Sequence, residues 1–189
     1  MKQVTTLAIV GGGELGNMIQ HNAQGRYNTI DIICHNNFDI TDRIQCDNIV
    51  PKLTKYDAVI ITAGSYSEDI WSMALINTVG PCYLIAKLNE VSVNQRIIAV
   101  SSHGATWTSW PGIPTFKLSY NINKLALTEF CKGLVQQGTG TNKITVIEPG
   151  KFKSKMSKGL GADINNIAQQ VLEIVNSPVH VVHVIVKNL

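Results

Sequence analysis

The 189-residue chain is 44% hydrophobic and 15% charged, and its 16 basic and 13 acidic residues leave a net charge of +3. That length suits one domain over residues 1–189. The apolar content suits a buried core, and the charge is too mild for the concentrated basic face of a nucleic-acid binder.

The elements follow in chain order. "TLAIV", Thr6 to Val10, reads as a buried strand that runs into three glycines. It is too short to span a bilayer and does not end like a signal peptide, so no membrane association is expected. "ELGNMIQHNAQG" places Leu15, Met18 and Ile19 at helical spacing, with Gly25 as its stop. "NTIDIIC" and "DAVIITAG" are the second and third strands. "SMALINTVGPCYLIAKLNEV" has the length and periodicity of a buried helix, kinked or bounded at Pro81. "RIIAVSS" is a strand and "YNINKLALTEFCKGLV" a helix. "KITVIEPG" is a strand stopped by Pro-Gly, "INNIAQQVLEIVN" a helix, and "VHVVHVIV" a last strand. Short apolar strands alternating with helices predict an α/β fold, a doubly wound parallel sheet with helices on both faces in three layers. Ligands of such sheets bind at the carboxyl ends of the strands, where the strand order reverses. The cysteines Cys34, Cys46, Cys82 and Cys131 form no CxxC pair, the pattern of reduced thiols in a cytoplasmic protein.

The turn "VGGGELG" spaces Gly11, Gly13 and Gly16 as GxGxxG between a predicted strand and a predicted helix, the context that gives this motif its meaning. Gly11 permits a tight turn, Gly13 lets a pyrophosphate approach the backbone, and Gly16 lets the helix pack against the strand. Glu14 and Leu15 open the helix, whose N-terminus favours phosphate charge. The cofactor expected is therefore a nicotinamide dinucleotide, NADP(H) or NAD(H). An acidic residue at the end of the second strand would favour NAD(H). Asp31 is too early in the strand, and His35, Asn36 and Asn37 stand at its end. A 2′-phosphate is not repelled there, which leans toward NADP(H). Glu14 argues the other way if it points at that phosphate, and His35 reads equally as a solvated loop residue.

Further along stand "FDITD" with Asp39 and Ile40, "ITAG" with Ala63 and Gly64, and "WSMALINTVG" with Asn77. "IIAVSSHG" with Ser101 and Ser102, "YNINKLAL" with Tyr120 and Lys124, and "VIEPGKFKSKM" with Pro149, Gly150 and Ser154 follow. In this order, over nearly the whole chain, these stretches resemble the landmarks of the short-chain dehydrogenase/reductase family. The resemblance implies a strand order of 3-2-1-4-5-6-7 and a homodimer or homotetramer. It also implies that Asp39 and Ile40 meet the adenine ring, that Ala63 and Gly64 form a cofactor-side turn, and that Ser154 contacts the cofactor after Pro149-Gly150. Asn77, a serine, Tyr120 and Lys124 become the catalytic set. Both serines are eligible, with Ser102 preferred. The glycine turn is shorter than the family's usual one, Thr62 replaces an asparagine, and the segment after Gly150 leaves only a reduced substrate lid.

Residues four apart on a helix share a face, so Tyr120 and Lys124 point into one cleft. A free tyrosine ionises near about pH 10, and a neighbouring ammonium lowers that value, opening general acid–base work at ordinary pH. By resemblance, Lys124 also holds the nicotinamide ribose, Ser102 orients the substrate oxygen, and Asn77 holds a water in a relay toward Lys124. The activity implied is hydride transfer between the cofactor and a small carbonyl or alcohol substrate. A cofactor-binding redox sensor without turnover is the alternative. A sugar-nucleotide epimerase is disfavoured because the chain leaves no room for a larger substrate region. Trp107, Trp110 and Phe116 read as the wall of an apolar substrate pocket or as a subunit contact. Lys151, Lys153, Lys155 and Lys158 read as a solvated loop or as an attractor of anions. His180 and His183, three apart on a strand, point to opposite faces, so no metal site is expected.

Overall fold

The computed structural model describes residues 3–107, 111–138 and 140–186. Six strands form one parallel sheet: β1 (Thr6–Val10), β2 (Thr29–Ile33), β3 (Ala58–Ile61), β4 (Arg96–Val100), β5 (Lys143–Pro149) and β6 (His183–Val186). The helices are α1 (Glu14–Ala23), α2 (Arg43–Leu53), α3 (Ile70–Ala74), α4 (Gly80–Val91), α5 (Thr115–Gln137) and α6 (Ile164–Asn176).

Alternation along each strand builds two cores. Ala8, Val10, Val59, Ile61, Ile97, Ala99 and Val146 pack on α2, α4 and α5. Leu7, Ile9, Ala58, Ile60, Ile98 and Ile147 pack on α1 and α6. The three layers are those expected. The spatial order is β2-β1-β3-β4-β5-β6. It matches the expected 3-2-1-4-5-6-7 with the outermost strand, 3, missing from the described residues, so the seven-strand form of that order is corrected to six. The physical reason is length. Residues 34–57 hold only a turn and α2 before the chain enters β3, whereas an added parallel strand would require a second crossover of a dozen or more residues.

β1 pairs with β2 on one side and β3 on the other, so the order reverses beside β1. The ends of β1, β3, β4 and β5 lead into Gly11, Thr62, Ser101 and Gly150, the stretches that carried the resemblance.

Local rules explain the element ends. Gly25 (φ +74°) follows α1 and Gly138 (φ +63°) follows α5, both left-handed as a helix stop favours. Asp42 caps α2 through Ile44 and Gln45, and Asp69 caps α3 through Trp71 and Ser72. Between α3 and α4 the helix widens into one π turn, Leu75–Val79. In an α-helix the Asn77 carbonyl would accept from residue 81, and Pro81 has no N–H to give. Such turns are frequent at functional sites.

Candidate active site

The glycine turn separates into structural and open positions. Gly11 has φ +124°, and a Cβ there would lie 2.6 Å from Thr62 Oγ1. A Cβ on Gly16 would sit 1.9 Å from the Gly11 carbonyl oxygen, which Thr62 Oγ1 also engages at 2.9 Å. Gly13, by contrast, faces open space. It precedes α1 without a side-chain cap, so the first N–H groups of the helix have no side-chain partner there. Glu14 turns across the site, its Oε2 accepting from the Lys155 N–H at 2.8 Å.

Beyond β2 the picture is looser. His35, Asn36 and Asn37 are exposed. Asp39 Oδ1 accepts from the Thr41 N–H (2.9 Å) and hydroxyl (2.8 Å), which hold its carboxyl below the usual range. Ile40 is buried, with its carbonyl close against Gly80. Asp31 is bonded to the Tyr56 hydroxyl at the sheet edge.

Tyr120 and Lys124 project from α5 into one cleft of about 570 Å³, with Ser101, Ser102, Gly13, Glu14, Leu15, Gly16, Gly64, Pro149, Gly150 and Ser154 in its wall. Gly11, His35, Asn36, Asp39, Ile40, Ala63 and Asn77 lie outside that wall. The two serines have different work. Ser101 is buried, donates to the Lys124 carbonyl at 2.8 Å, and meets the Thr128 hydroxyl at 2.9 Å, which in turn reaches Glu148 at 2.8 Å. It pins α5 to the sheet. Ser102 accepts from the Gly104 N–H at 3.1 Å and contacts the Tyr120 phenol.

Lys124 is 4% exposed and donates to the Val100 carbonyl at 3.1 Å. Burial brings its pKa down to about 8. Burial also pushes the Tyr120 phenol above its ordinary value, with the Ser102 contact opposing and Tyr66 adding to the rise. The expected lowering by the lysine is therefore not the dominant effect, because desolvation of the phenolate outweighs the favourable contacts.

Asn77 is fully buried and committed. Its Nδ2 donates to the Ser65 carbonyl at 2.7 Å, and its Oδ1 accepts from the Ser65 N–H at 3.0 Å. A Cβ on Gly64 would lie 3.3 Å from that Oδ1 and 3.4 Å from Lys124 Nζ, so this glycine keeps the two close.

Several wall residues escaped the sequence reading. Tyr66 meets Tyr120 edge-on at 5.1 Å and Phe116 at 5.5 Å. Asn121 donates to the Trp107 carbonyl at 2.8 Å. His103, Lys117, Met156 and Leu160 also line the cleft, beside the expected Trp107 and Phe116. Proximity in sequence to Tyr120 could have flagged Lys117 and Asn121; nothing local marks Tyr66. Trp110 lies outside the described residues. Residues Lys151 to Ala162 form a compact loop closed by a Phe152–Ala162 bridge and by reciprocal Ser154–Ser157 hydrogen bonds. Lys151 and Lys158 of this loop reach the wall, whereas Lys153 and Lys155 do not. His180 bonds the Ile144 carbonyl and His183 approaches Glu148, and no cluster of metal-ligating side chains occurs among the described residues. No helix there is long and apolar enough to cross a membrane.

No protein-family model and no curated protein matches this sequence. Solved structures do match in shape. A short chain dehydrogenase from Burkholderia cenocepacia in complex with NADP superposes with a TM-score of 0.80 at 15% identity, covering 99% of this chain and 90% of that one. BdcA in complex with NADPH gives 0.78 at 17% identity, covering 97% and 93%. The 3-alpha-hydroxysteroid dehydrogenase from a Pseudomonas species, complexed with NADH, gives 0.77 at 14% identity, covering 96% and 94%. With the parallel sheet, the glycine turn at its switch point and near-complete coverage on both sides, the chain has the Rossmann-type fold of the short-chain dehydrogenase/reductases.

Proposed function

We propose that this chain is a nicotinamide-dependent oxidoreductase acting on small carbonyl or alcohol substrates, with Tyr120 as the acid/base. The observation that carries the reading is the convergence of Tyr120, Ser102 and buried Lys124 in the same cleft as open Gly13. The residues fit a dinucleotide: Gly13 leaves room for backbone approach, and the helix behind it offers N–H groups without a side-chain cap. Gly11, Gly13, Glu14, Leu15 and Gly16 would hold its phosphates, and His35, Asn36, Asp39 and Ile40 its adenosine. Ala63, Gly64, Lys124, Pro149, Gly150 and Ser154 would hold the nicotinamide end. The bound cofactor supplies or accepts the hydride.

The protein's own part is proton handling and orientation. Ser102 holds the substrate oxygen beside the phenol. Tyr120, whose burial keeps it protonated at neutral pH, donates its proton to the oxygen of a carbonyl under reduction. The Lys124 ammonium stabilises the phenolate left behind. The Asn77 side chain braces the turn at Ser65, and its carbonyl, which Pro81 cannot engage, holds the relay water. The lack of an acid after β2 supports NADP(H) over NAD(H).

Intrinsic fluorescence titration with NADPH and NADH is expected to give binding of both, tighter for NADPH. A carbonyl panel is then expected to oxidise the cofactor, with Tyr120→Phe losing about a hundredfold or more in kcat while still binding it. Absence of binding would overturn the cofactor assignment. Binding without turnover would favour the sensor alternative, and turnover indifferent to Tyr120→Phe would remove the residue from its role. We further propose a homodimer or homotetramer in solution; a monomer at micromolar concentration in sedimentation equilibrium would refute that.

A further inference from the structure

The cleft wall is unbalanced in charge. Among the described residues its one acidic side chain, Glu14, is already bonded to the Lys155 N–H at 2.8 Å, whereas Lys117, Lys124, Lys151 and Lys158 all line it. Lys124 is engaged with Val100, and Lys151 and Lys158 belong to the loop after β5. Lys117 is placed differently. It precedes Tyr120 by three residues on α5, a spacing that sets the two Cβ atoms on one face roughly 5–6 Å apart. It also borders a side chamber of about 160 Å³ that opens beside Trp107 and Asn121. Among the described residues no carboxylate pairs with it. The surface around the pair is aromatic, with Tyr66 and Phe116 packed edge-on and Trp107 beyond.

We infer that the substrate is a ring-bearing carbonyl with an anionic group, such as a carboxylate, at the end remote from the carbonyl. The aromatic side chains wall the ring, Tyr120 meets the carbonyl oxygen, and Lys117 is the counter-ion of the remote group. This rests on the oxidoreductase reading above and narrows it. In the reduction the carbonyl carbon receives hydride from the reduced nicotinamide, the C=O π pair moves onto oxygen, and that oxygen takes the Tyr120 proton. The phenolate recovers a proton from solvent, so one hydride and one proton are consumed per alcohol formed. The remote anion is unchanged by the reaction. Its contribution is to binding and is expected in KM rather than kcat. Lys117 is exposed, so the attraction is also expected to be sensitive to salt.

The test compares para-carboxybenzaldehyde with its neutral methyl ester and with benzaldehyde, using the full chain and saturating NADPH. The carboxylate is expected to show a kcat/KM about fivefold to tenfold above the ester. That ratio should shrink in about 0.5 M NaCl, where the screening length falls to a few ångströms. Lys117→Gln should bring the carboxylate down to the ester, and Lys117→Glu should invert the order. Calorimetric titration of the NADPH-loaded protein with para-carboxybenzyl alcohol and its methyl ester reads the same comparison without turnover. Equal values for carboxylate and ester, or a preference that survives Lys117→Gln, would overturn the anion subsite and leave the oxidoreductase reading standing. Failure to bind either nicotinamide cofactor and to reduce any aldehyde would overturn both.

Discussion

Lys124 carries an electrostatic cost that can be measured. Its pKa of about 8 in the folded chain lies below the ordinary 10.5 because burial disfavours the ammonium. Between those values the unfolded chain binds more protons, so stability rises with pH across that window. Below pH 8 the ammonium is charged in both states and the cost stands in full. Lys124→Met is therefore expected to raise unfolding free energy by roughly 3 kcal/mol at pH 7 and to flatten the rise toward alkaline pH. Urea unfolding of both proteins at pH 7 and at about pH 9.5 checks this; parallel pH dependences would refute it. The Tyr120–Lys124 spacing was readable because a helix fixes which residues share a face. The direction of the Tyr120 shift was not readable. It depends first on burial and then on Tyr66, which adds to the rise from the loop after β3 and whose position no local pattern encodes.

At the scale of elements, the turn between β1 and α1 divides its glycines by what a methyl group would meet. At Gly16 it would press on the Gly11 carbonyl, and at Gly13 it would meet nothing. Gly16→Ala is expected to cost about 2 kcal/mol or more of stability, within or above the usual range for overpacking. Gly13→Ala should leave stability within about 0.5 kcal/mol, because its extended backbone (φ −73°) suits alanine, and should weaken cofactor binding instead. Thermal melts paired with NADPH titration separate the two, and equal melting losses would refute the division. Helix and strand identities were legible wherever apolar periodicity was long, as in α5 and α6. The π turn was legible only as a disturbance at Pro81, because proline marks a lost N–H without stating how the helix absorbs the loss. Among the described residues the edge strand inferred from the resemblance does not occur, because residues 34–57 are too few to build it.

Across the whole molecule, the sheet gathers the ends of β1, β3, β4 and β5 along one edge, and the cleft follows from that gathering. The alternation of strands and helices made this edge predictable as the place of the cleft. The closure over it was less so, because the loop from Lys151 to Ala162 is held by bonds within itself, by Phe152 packed against the core and by a reach from Glu14 of α1. That reach, Glu14 to the Lys155 N–H, joins the two rims of the cleft. In the proposed cofactor reading a dinucleotide entering or leaving would part that bond, which would then govern the rate of exchange from a place remote from the reacting atoms. Glu14→Ala is expected to speed NADPH dissociation in stopped-flow displacement by about fivefold, the worth of one such bond, and to lower unfolding free energy by about 1 kcal/mol or less. Where release limits turnover in the proposed reaction, the variant would turn over faster.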